Sequence, residues 1–539
     1  MTMTKDVLIY DTTLRDGEQS EGIAFSLDDK FRIAYKLDEF GVDYIEGGWP
    51  GSNPKAIEFF RQVDHHRLKQ AKLAAFGSTR RKRIRPEDDE NLRALIESHT
   101  PTVTIFGKSW DLHVHEALQA SLKENLDMIR DSVRFLRAAG REVVYDAEHF
   151  FDGYRNNPDY ALETIVAAAD AGAHCIVLCD TNGGTLPADL VKIILDARRV
   201  VDLPLGIHAH NDSGLAVANS ILAVQHGVVH VQGTINGYGE RCGNADLIPI
   251  LANLQLKLGK KCLPEGRIES LTALAHFVAE VANLMPDSRQ PYVGRSAFAH
   301  KGGVHVSAMR RHRKTYEHID PQSVGNATRI LVSELSGQSN IFAKAEELGI
   351  DLQQLGEKSK VVLQTIKDLE NQGYQFEAAE GSVEVLVRKI IGTHKKFFNL
   401  EGFRVIVEKR GPEQNCLSEA TIQLSIDAEK WHTAADGDGP VNALDRALRK
   451  ALRDKYPQLA SVHLQDYKVR VLDAASGTAA KVRVLINSTD GREEWATVGV
   501  SENIIEASWR ALVDSIEYKL LRGEQTTAKK KAKKPSPAK

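Results

Sequence analysis

The chain has few aromatic residues, few cysteines and no long apolar run. Aromatic residues fill 6% of its 539 positions, and no stretch reaches the 18 or so uncharged apolar residues that a membrane-spanning helix needs. Residues 1–6 lack the apolar core of a signal peptide. The five cysteines are odd in number and too sparse for a disulfide framework, so we expect free thiols. These absences predict a cytoplasmic globular protein that has no membrane association.

Outside one short segment, the chain has fewer basic residues than acidic ones. The last fourteen residues, Thr526 to Lys539, hold six lysines and no acidic residue, and they predict a disordered tail over 524–539. Without those lysines, 64 basic residues face 73 acidic ones, a formal charge of −9. A body of that sign argues against general nucleic-acid binding, which needs clustered lysine and arginine. Nucleic-acid binding by the tail alone stays an alternative, which deletion of 526–539 would test.

What the chain has instead is a repeated alternation of strand and helix between Lys5 and Gly259. We count eight β-branched runs, which are Val7–Thr13, Tyr44–Trp49, Lys72–Ser78, Thr102–Phe106, Glu142–Asp146, Cys175–Asp180, Leu205–His210 and His230–Asn236. Eight strand–helix units in about 250 residues predict an α/β fold, a (β/α)₈ TIM barrel over 1–265 whose active site lies in the loops after the strands. The alternative, a doubly wound open sheet, usually has a Gly-rich turn after its first strand, and here that turn is charged.

The remainder predicts two further regions. Residues 266–381 read as a helical connector, interrupted by a Gly- and His-bearing segment from Gly294 to His305. Residues 382–523 split into two similar halves, each with two strands, a third strand and a helix, which predicts a pseudo-twofold α+β module. This module has no catalytic constellation of its own, so the chemistry is expected in the barrel.

The sharpest local signal is Pro204-Leu-Gly-Ile-His-Ala-His-Asn-Asp212. Side chains alternate along a strand, so His208 and His210 point to one face, and their place at the strand's end puts both in the barrel mouth. Two imidazoles so placed can bind one divalent metal, whereas a single core or surface histidine would not. His113 and His115 have the same spacing but begin a helix, where positions two apart diverge by about 200° and cannot share a metal.

A hard divalent cation would also want a carboxylate, and the loop after the first strand offers several. Asp11, Arg15, Asp16, Glu18 and Gln19 crowd into nine residues there. Asp16 beside Arg15 predicts an anionic ligand next to a fixed cation, which together polarise a carbonyl and stabilise the alkoxide that forms. The alternative is an exposed Arg–Asp ion pair of little consequence.

Three more segments converge on the same mouth. They are Tyr145-Asp-Ala-Glu-His149, Asp180-Thr-Asn-Gly-Gly184 and Asn236-Gly-Tyr-Gly-Glu-Arg-Cys-Gly-Asn244. Asn244 can add an oxygen ligand to the metal, and Thr181 can donate a hydrogen bond to a substrate carboxylate. Their glycines allow a close approach of backbone to ligand, although a plain tight turn would use them equally well.

Three of these motifs carry a resemblance to a known family. Asp-Thr-Thr-Leu-Arg-Asp-Gly-Glu-Gln (11–19), His-Ala-His-Asn-Asp (208–212) and Gly-Glu-Arg-Cys-Gly-Asn (239–244) resemble the signatures of the 2-isopropylmalate, homocitrate and citramalate synthases, a branch of the barrel metalloenzymes that includes 3-hydroxy-3-methylglutaryl-CoA lyase. The C-terminal module is similar to that family's allosteric domain. Residues 46–54 and 316–326 are most similar to the long citramalate-forming members.

The resemblance implies a set of roles for individual residues. It implies metal ligation by Asp16, His208, His210 and Asn244, substrate binding by Arg15 and Thr181, and catalysis by Arg15, Glu148, His305 and Tyr316. Tyr145, in the mouth segment 145–149, is a further expected substrate-binding residue. His305 lies in a connector segment that, in the family, reaches the barrel of the partner subunit. The stretch between His305 and Tyr316 is unusually basic and of no fixed length in the family, so Tyr316 rests on the weakest match.

The activity implied is a metal-dependent Claisen-type condensation of acetyl-CoA with pyruvate, in isoleucine biosynthesis. Divalent Mg, Mn or Zn would serve as cofactor, the enzyme would be a homodimer, and isoleucine would bind the C-terminal module as inhibitor. Use of 2-oxoisovalerate or 2-oxoglutarate, as in 2-isopropylmalate or homocitrate synthases, stays open. Residues 382–521 argue against a lyase, which lacks such a module. The intact Arg15, Asp16, His208 and His210 argue against a non-catalytic amino-acid sensor.

Overall fold

The computed structural model of the chain describes residues 5–63, 68–356, 358–413, 415–472, 477 and 479–532. It divides into two compact units. The barrel unit holds the residues up to Phe298 together with Ile319–Thr328, and the C-terminal unit holds Ala299–His318 together with the residues from Arg329 onward. The boundaries predicted at 265, 381 and 523 stay predictions.

Eight parallel strands close the barrel in chain order, as the sequence predicts. They are β1 (Leu8–Asp11), β2 (Tyr44–Gly48), β3 (Lys72–Ser78), β4 (Thr102–Lys108), β5 (Glu142–Glu148), β6 (Cys175–Asp180), β7 (Leu205–Ala209) and β8 (His230–Gly233). The closure is the pairing of β1 with β8, in which Leu8 lies opposite His230. The carboxyl ends of all eight strands therefore meet at one rim, which is where barrel enzymes build their sites.

Helices surround the barrel and follow most strands directly. They are α1 (Leu27–Phe40), α2 (Pro54–Gln62), α3 (Glu90–Glu97), α4 (Asp111–Glu116), α5 (Leu122–Ala138), α6 (Phe150–Asn156), α7 (Pro158–Asp170), α8 (Pro187–Val200), α9 (Ala216–Gln225), α10 (Leu247–Ala252) and α11 (Leu271–Val281). The sequence predicts one helix over 115–139, and the structure has two, because Ser121 caps a new helix by accepting from the Glu124 amide.

Strand alternation gives the barrel two separate apolar layers. Side chains such as Ile9, Ile45 and Tyr145 point outward and join the main core beneath the helices. Residues of the other parity fill the barrel's interior, among them Cys175 and Cys179, which pack with Val144 and Val177. All five cysteines are free thiols, as predicted. Along each strand, every second side chain therefore faces the barrel interior, and those between them face the surrounding helices.

The C-terminal unit contains residues 299–318 and 329–381 of the predicted connector, followed by the predicted twofold module. Its elements are β9 (Ala299–His300), α12 (Gly303–Arg311), β10 (Arg329–Ile330), α13 (Gln338–Glu347), α14 (Leu352–Leu355), α15 (Ser359–Asn371), α16 (Glu380–Ile391), β11 (Asn399–Glu408), β12 (Leu417–Ile426), β13 (Glu429–Gly437), α17 (Pro440–Leu452), β14 (His463–Val471), β15 (Val482–Thr489), β16 (Glu494–Ser501) and α18 (Ile504–Ala532). Strands β11 to β13 and β14 to β16 form two antiparallel sheets in chain order, each followed by a helix. The predicted duplication is therefore present.

The last helix is longer than the sequence analysis predicts. Disorder was expected from residue 524, but α18 continues to Ala532. Residues 524–532 contain neither glycine nor proline and are rich in alanine, lysine, glutamate and glutamine, which are strong helix formers. Residues 533–539 lie outside the described part. Within that part, no helix is both long and apolar enough to cross a membrane.

Candidate active site

A cavity of about 220 Å³ opens in the barrel unit at the carboxyl ends of the strands. Its wall takes side chains from the loops and strand ends of most strands, namely Arg15, Asp16, Gln19, Trp49, Phe76, Phe106, Asp146, Glu148, Cys179, Thr181, His208, His210, Glu240 and Arg241. The cavity is small, and its wall is apolar on one side and charged on the other. Six of the residues predicted for the site are among these.

Asp16, His208 and His210 form the polar centre of the wall. All three are buried, and one ligand atom from each lies within 4.8 Å of the others. The Nε2 atoms of the two histidines face each other at 3.2 Å, and Asp16 Oδ2 lies 3.3 Å from Nε2 of His208 and 3.9 Å from that of His210. Two imidazole nitrogens and a carboxylate oxygen aimed at one point are the donors that Zn²⁺, Mn²⁺ or Mg²⁺ would accept.

Asn244 is the fourth residue that the sequence predicts as a metal ligand. It is 2% exposed, bridges by backbone to His210, and donates from Nδ2 to the Tyr238 carbonyl. Its Oδ1 is buried and accepts no hydrogen bond from the described residues. The preceding Gly243 has φ +88, and a Cβ there would lie 2.0 Å from the Gly237 carbonyl oxygen, so only glycine permits this turn. A buried amide oxygen without a donor fits an oxygen ligand for a metal.

Burial and the neighbouring charges shift the pKa values of the three residues in the cluster. Burial alone would raise the pKa of Asp16, but Arg15 and the two histidines hold it well below its usual range. Burial opposes the charged form of His208, yet the hydrogen bond and charge of Asp16 raise its pKa above the ordinary value. Burial and the charge of His208 together lower the pKa of His210 to about 3. Asp16 is thus an anion and His210 a neutral donor at neutral pH.

Arg15 is held over the cavity by partners from other strands. Its Nε donates to Glu46 Oε2 at 2.6 Å, its Nη1 lies 3.4 Å from Asp16 Oδ2, and its guanidinium carbon stacks 3.7 Å from the Phe76 ring centroid. The turn that delivers it is tight, since the Thr12 carbonyl accepts from the amides of both Arg15 and Asp16. The planar group has fixed orientation before any substrate binds.

Thr181 and Glu148 lie on the neighbouring strand ends. The Thr181 hydroxyl oxygen accepts from the His149 amide at 3.0 Å, which leaves its own hydrogen to donate elsewhere. Glu148 forms an ion pair with Lys108, at the end of β4, and lines the cavity. Both side chains are therefore placed to meet a ligand in the cavity.

Two predicted barrel residues, Asn244 and Tyr145, are not among those that line the cavity, and of these Tyr145 faces away from it. Tyr145 is fully buried in the layer between barrel and helices. Along a strand, side chains alternate, so Glu148 and Asp146 face the lumen while Tyr145, at odd spacing from both, faces away. Tyr145, which was expected to bind substrate, thus faces away from the cavity, and the neighbouring Asp146 lines it instead.

His305 and Tyr316 belong to the C-terminal unit. Both are exposed, and their rings stack with centroids 4.1 Å apart at 26°. The structure therefore brings the two together, as the resemblance implies, although eleven positions separate them in sequence. His113 and His115 lie on α4, as predicted, and neither belongs to the metal-ligating cluster of the described residues.

Several contributors to the site were missed by the sequence reasoning. Glu46, Lys108 and Gln232 hold Arg15, Glu148 and His208 respectively. Trp49, Phe76 and Phe106 form the apolar side of the wall. A signal was available for Glu46, Phe106 and Gln232, because each lies within a predicted strand at the parity that faces the lumen. The pairings themselves join residues on consecutive strand units, 24 to 40 positions apart in the chain, and carried no local signal.

The closed barrel and its metal-ligating mouth define an enzyme of the metal-dependent TIM-barrel class. Residues 6–278 match the HMGL-like family, residues 292–374 the homocitrate synthase post-HMGL domain, and residues 377–520 the LeuA allosteric (dimerisation) domain. The chain belongs to the HMGL-like family.

Relatives of known name cover the whole length. An (R)-citramalate synthase of Geobacter sulfurreducens is 58% identical over 97% of this chain and 99% of its own, and one of Aquifex aeolicus is 54% identical over the same shares. A 2-isopropylmalate synthase of Methanocaldococcus jannaschii is 31% identical over 96% of each chain. The similarity to the citramalate synthases is therefore much the greater.

Proposed function

We propose that the protein condenses acetyl-CoA with pyruvate to give (R)-citramalate and CoA. The observation that carries this is a small cavity in which a fixed arginine, a metal-ligating cluster and an aromatic wall meet. The similarity to citramalate synthases along nearly the whole chain supports the same reaction.

The aromatic wall argues for a 2-oxo acid with a short side chain. Trp49 meets Phe76 and Phe106 edge-on at 5.7 and 5.6 Å, and the two phenylalanines stack at 5.5 Å. Three packed rings on one side of the cavity favour the methyl group of pyruvate over the larger isopropyl group of 2-oxoisovalerate. The other cation of the wall, Arg241, is bound through two nitrogens to Asp212, which disfavours recognition of the second carboxylate of 2-oxoglutarate.

Different polar residues would bind different atoms of pyruvate. Asp16, His208, His210 and Asn244 would hold a divalent cation, whose chemistry is to polarise the ketone and carboxylate of the bound oxo acid. Arg15 would donate to the ketone oxygen and stabilise the alkoxide that develops there. The free Thr181 hydrogen would go to the carboxylate.

The carbon–carbon bond requires a base for the acetyl methyl group. That base removes a proton, the enolate carbon attacks the pyruvate ketone carbon, and water then cleaves the thioester to release CoA and citramalate. Glu148 lines the cavity with Lys108 as its counterion, and His305 stacks on Tyr316 in the connector. Glu148 and His305 are therefore the two candidates for the base. The residue that serves must both reach the methyl proton and have a suitable pKa.

We also propose a cytoplasmic homodimer regulated by isoleucine. The C-terminal module matches a domain named for allostery and dimerisation. Its outer strands β11 and β14 expose apolar side chains, Ile406, Val407, Val469 and Val471, that a partner subunit would cover. Light scattering tests the dimer, and inhibition of thiol release by isoleucine tests the effector.

A panel of oxo acids tests the proposed reaction. Free thiol released from acetyl-CoA is measured with Mn²⁺ and pyruvate, 2-oxobutanoate, 2-oxoisovalerate or 2-oxoglutarate. We expect the highest kcat/KM with pyruvate and none above background for the His208→Ala variant with native circular dichroism. Equal or faster turnover of 2-oxoisovalerate would contradict the substrate, and turnover by His208→Ala would contradict the metal role.

A further inference from the structure

A buried amide joins three strands directly behind the metal-ligating cluster. Gln232, on β8, is 0% exposed. Its Oε1 lies 2.9 Å from Nδ1 of His208 on β7, and its Nε2 donates to Asp146 Oδ1 on β5 at 3.0 Å. Gln232 has no part in the catalytic or substrate-binding roles proposed above, yet both polar atoms of its side chain contact these two neighbours.

The two contacts determine which way the amide faces. Asp146 offers a carboxylate oxygen, which accepts, so the NH₂ end of Gln232 turns toward it and the carbonyl end turns toward His208. An amide oxygen can only accept, so the hydrogen of the His208 ring lies on Nδ1. In the neutral, metal-binding form of the ring Nε2 then carries the lone pair, and this is the atom that lies 3.3 Å from Asp16 and 3.2 Å from His210.

We propose that Gln232 is a positioning residue for the metal ligand His208, with Asp146 holding the orientation of its amide. It acts by fixing the tautomer and the ring plane of the imidazole, so that Nε2 is ready to bind a cation. Outer hydrogen bonds of this kind typically change metal affinity by 10- to 100-fold. The inference rests on the proposed metal site, and its test separates the two.

The test measures the dissociation constant for Mn²⁺ by equilibrium dialysis of the metal-freed full-length protein. Gln232→Met keeps the length of the side chain and removes both polar atoms, and we expect binding weakened 10- to 100-fold. Gln232→Glu keeps an oxygen that accepts from His208 Nδ1, and we expect binding within about threefold of the wild type. The visible spectrum of bound Co²⁺ should change with the first variant and not with the second.

Asn219 provides the matched control. It is a buried amide, 1% exposed, whose Nδ2 donates to the Thr185 carbonyl at 2.9 Å. Asn219→Leu should lower stability without changing Mn²⁺ affinity. If Gln232→Met does not fold, Gln232→Asn replaces it, because a side chain shorter by one carbon–carbon bond withdraws the acceptor while keeping its polarity.

The outcomes are distinct. Wild-type affinity in Gln232→Met or Gln232→Asn, or equal losses in Gln232→Glu and Gln232→Met, would overturn the positioning role. Loss of affinity in Asn219→Leu equal to that in Gln232→Met would overturn it too, since any buried amide would then serve. Absence of Mn²⁺ binding to the wild type, or unchanged binding in His208→Ala, would instead overturn the metal site itself.

Discussion

Replacement of Glu46 by glutamine tests how far the orientation of Arg15 depends on one buried carboxylate. Glu46 is 0% exposed and accepts three short hydrogen bonds, from the Tyr10 hydroxyl at 2.5 Å, the Thr12 hydroxyl at 2.6 Å and Arg15 Nε at 2.6 Å. Glutamine keeps the shape and removes the charge. Its NH₂ end also meets donors that need an acceptor, so at least one of the three bonds is lost.

The magnitude follows from the kinds of bond involved. A hydrogen bond to a charged group contributes about 1.5–3 kcal/mol and a neutral one about 0.5–1.5 kcal/mol. Loss of the carboxylate weakens the Arg15 bond and orphans one donor, while relief of a buried charge offsets part of the cost. We expect the free energy of unfolding to fall by about 2 kcal/mol. With Arg15 no longer held over the cavity, kcat should fall about 10²-fold, the usual effect of losing a preorganised donor.

Two assays and one control variant decide the outcome. Urea unfolding gives the change in stability, and thiol release from acetyl-CoA with saturating pyruvate gives kcat. Tyr10→Phe removes a hydrogen bond to the same carboxylate but leaves its contact with Arg15. We expect it to lower stability by about 2 kcal/mol, the loss of one hydrogen bond to a charged group, and kcat by less than threefold. A kcat of Glu46→Gln within threefold of the wild type, or an equal loss of kcat in Tyr10→Phe, would refute the anchoring of Arg15.

Two further predictions concern the cavity wall. Phe106→Ala opens the aromatic wall and leaves Arg15 stacked on Phe76. The kcat/KM for 2-oxoisovalerate relative to that for pyruvate should therefore rise about 10- to 200-fold. An unchanged ratio would show that another group sets the size limit. Burial raises the pKa of Asp146 from its ordinary 3.8 to about 7. The folded state therefore binds more protons than the unfolded state between those values, and this contribution to stability, at most about 4 kcal/mol, is present below pH 4 and lost as pH rises through 7. Urea unfolding of metal-free Asp146→Asn should show a smaller loss of stability between pH 5 and 8 than the wild type; parallel losses would contradict the shift.

Much of the site could be predicted from local pattern. His208 and His210 share a face because a strand repeats every two residues, and a short strand followed by a charged loop located Arg15 and Asp16. The same rule would have rejected Tyr145, since it and Glu148 are three positions apart on one strand and cannot both face the lumen.

The amino-acid sequence by itself determined the number of strands, the duplicated C-terminal module and the residue types at the barrel mouth, because these depend on periodicity and on neighbours in the chain. The pairings that make the mouth a site came only with the tertiary structure. Closure of the barrel sets Asp16 beside His208, 192 positions away. The assembled barrel also pairs Glu46 with Arg15, Lys108 with Glu148, and Gln232 with both His208 and Asp146. Such contacts depend on strand register and barrel stagger, which are set by the packing of the whole sheet rather than by any one segment.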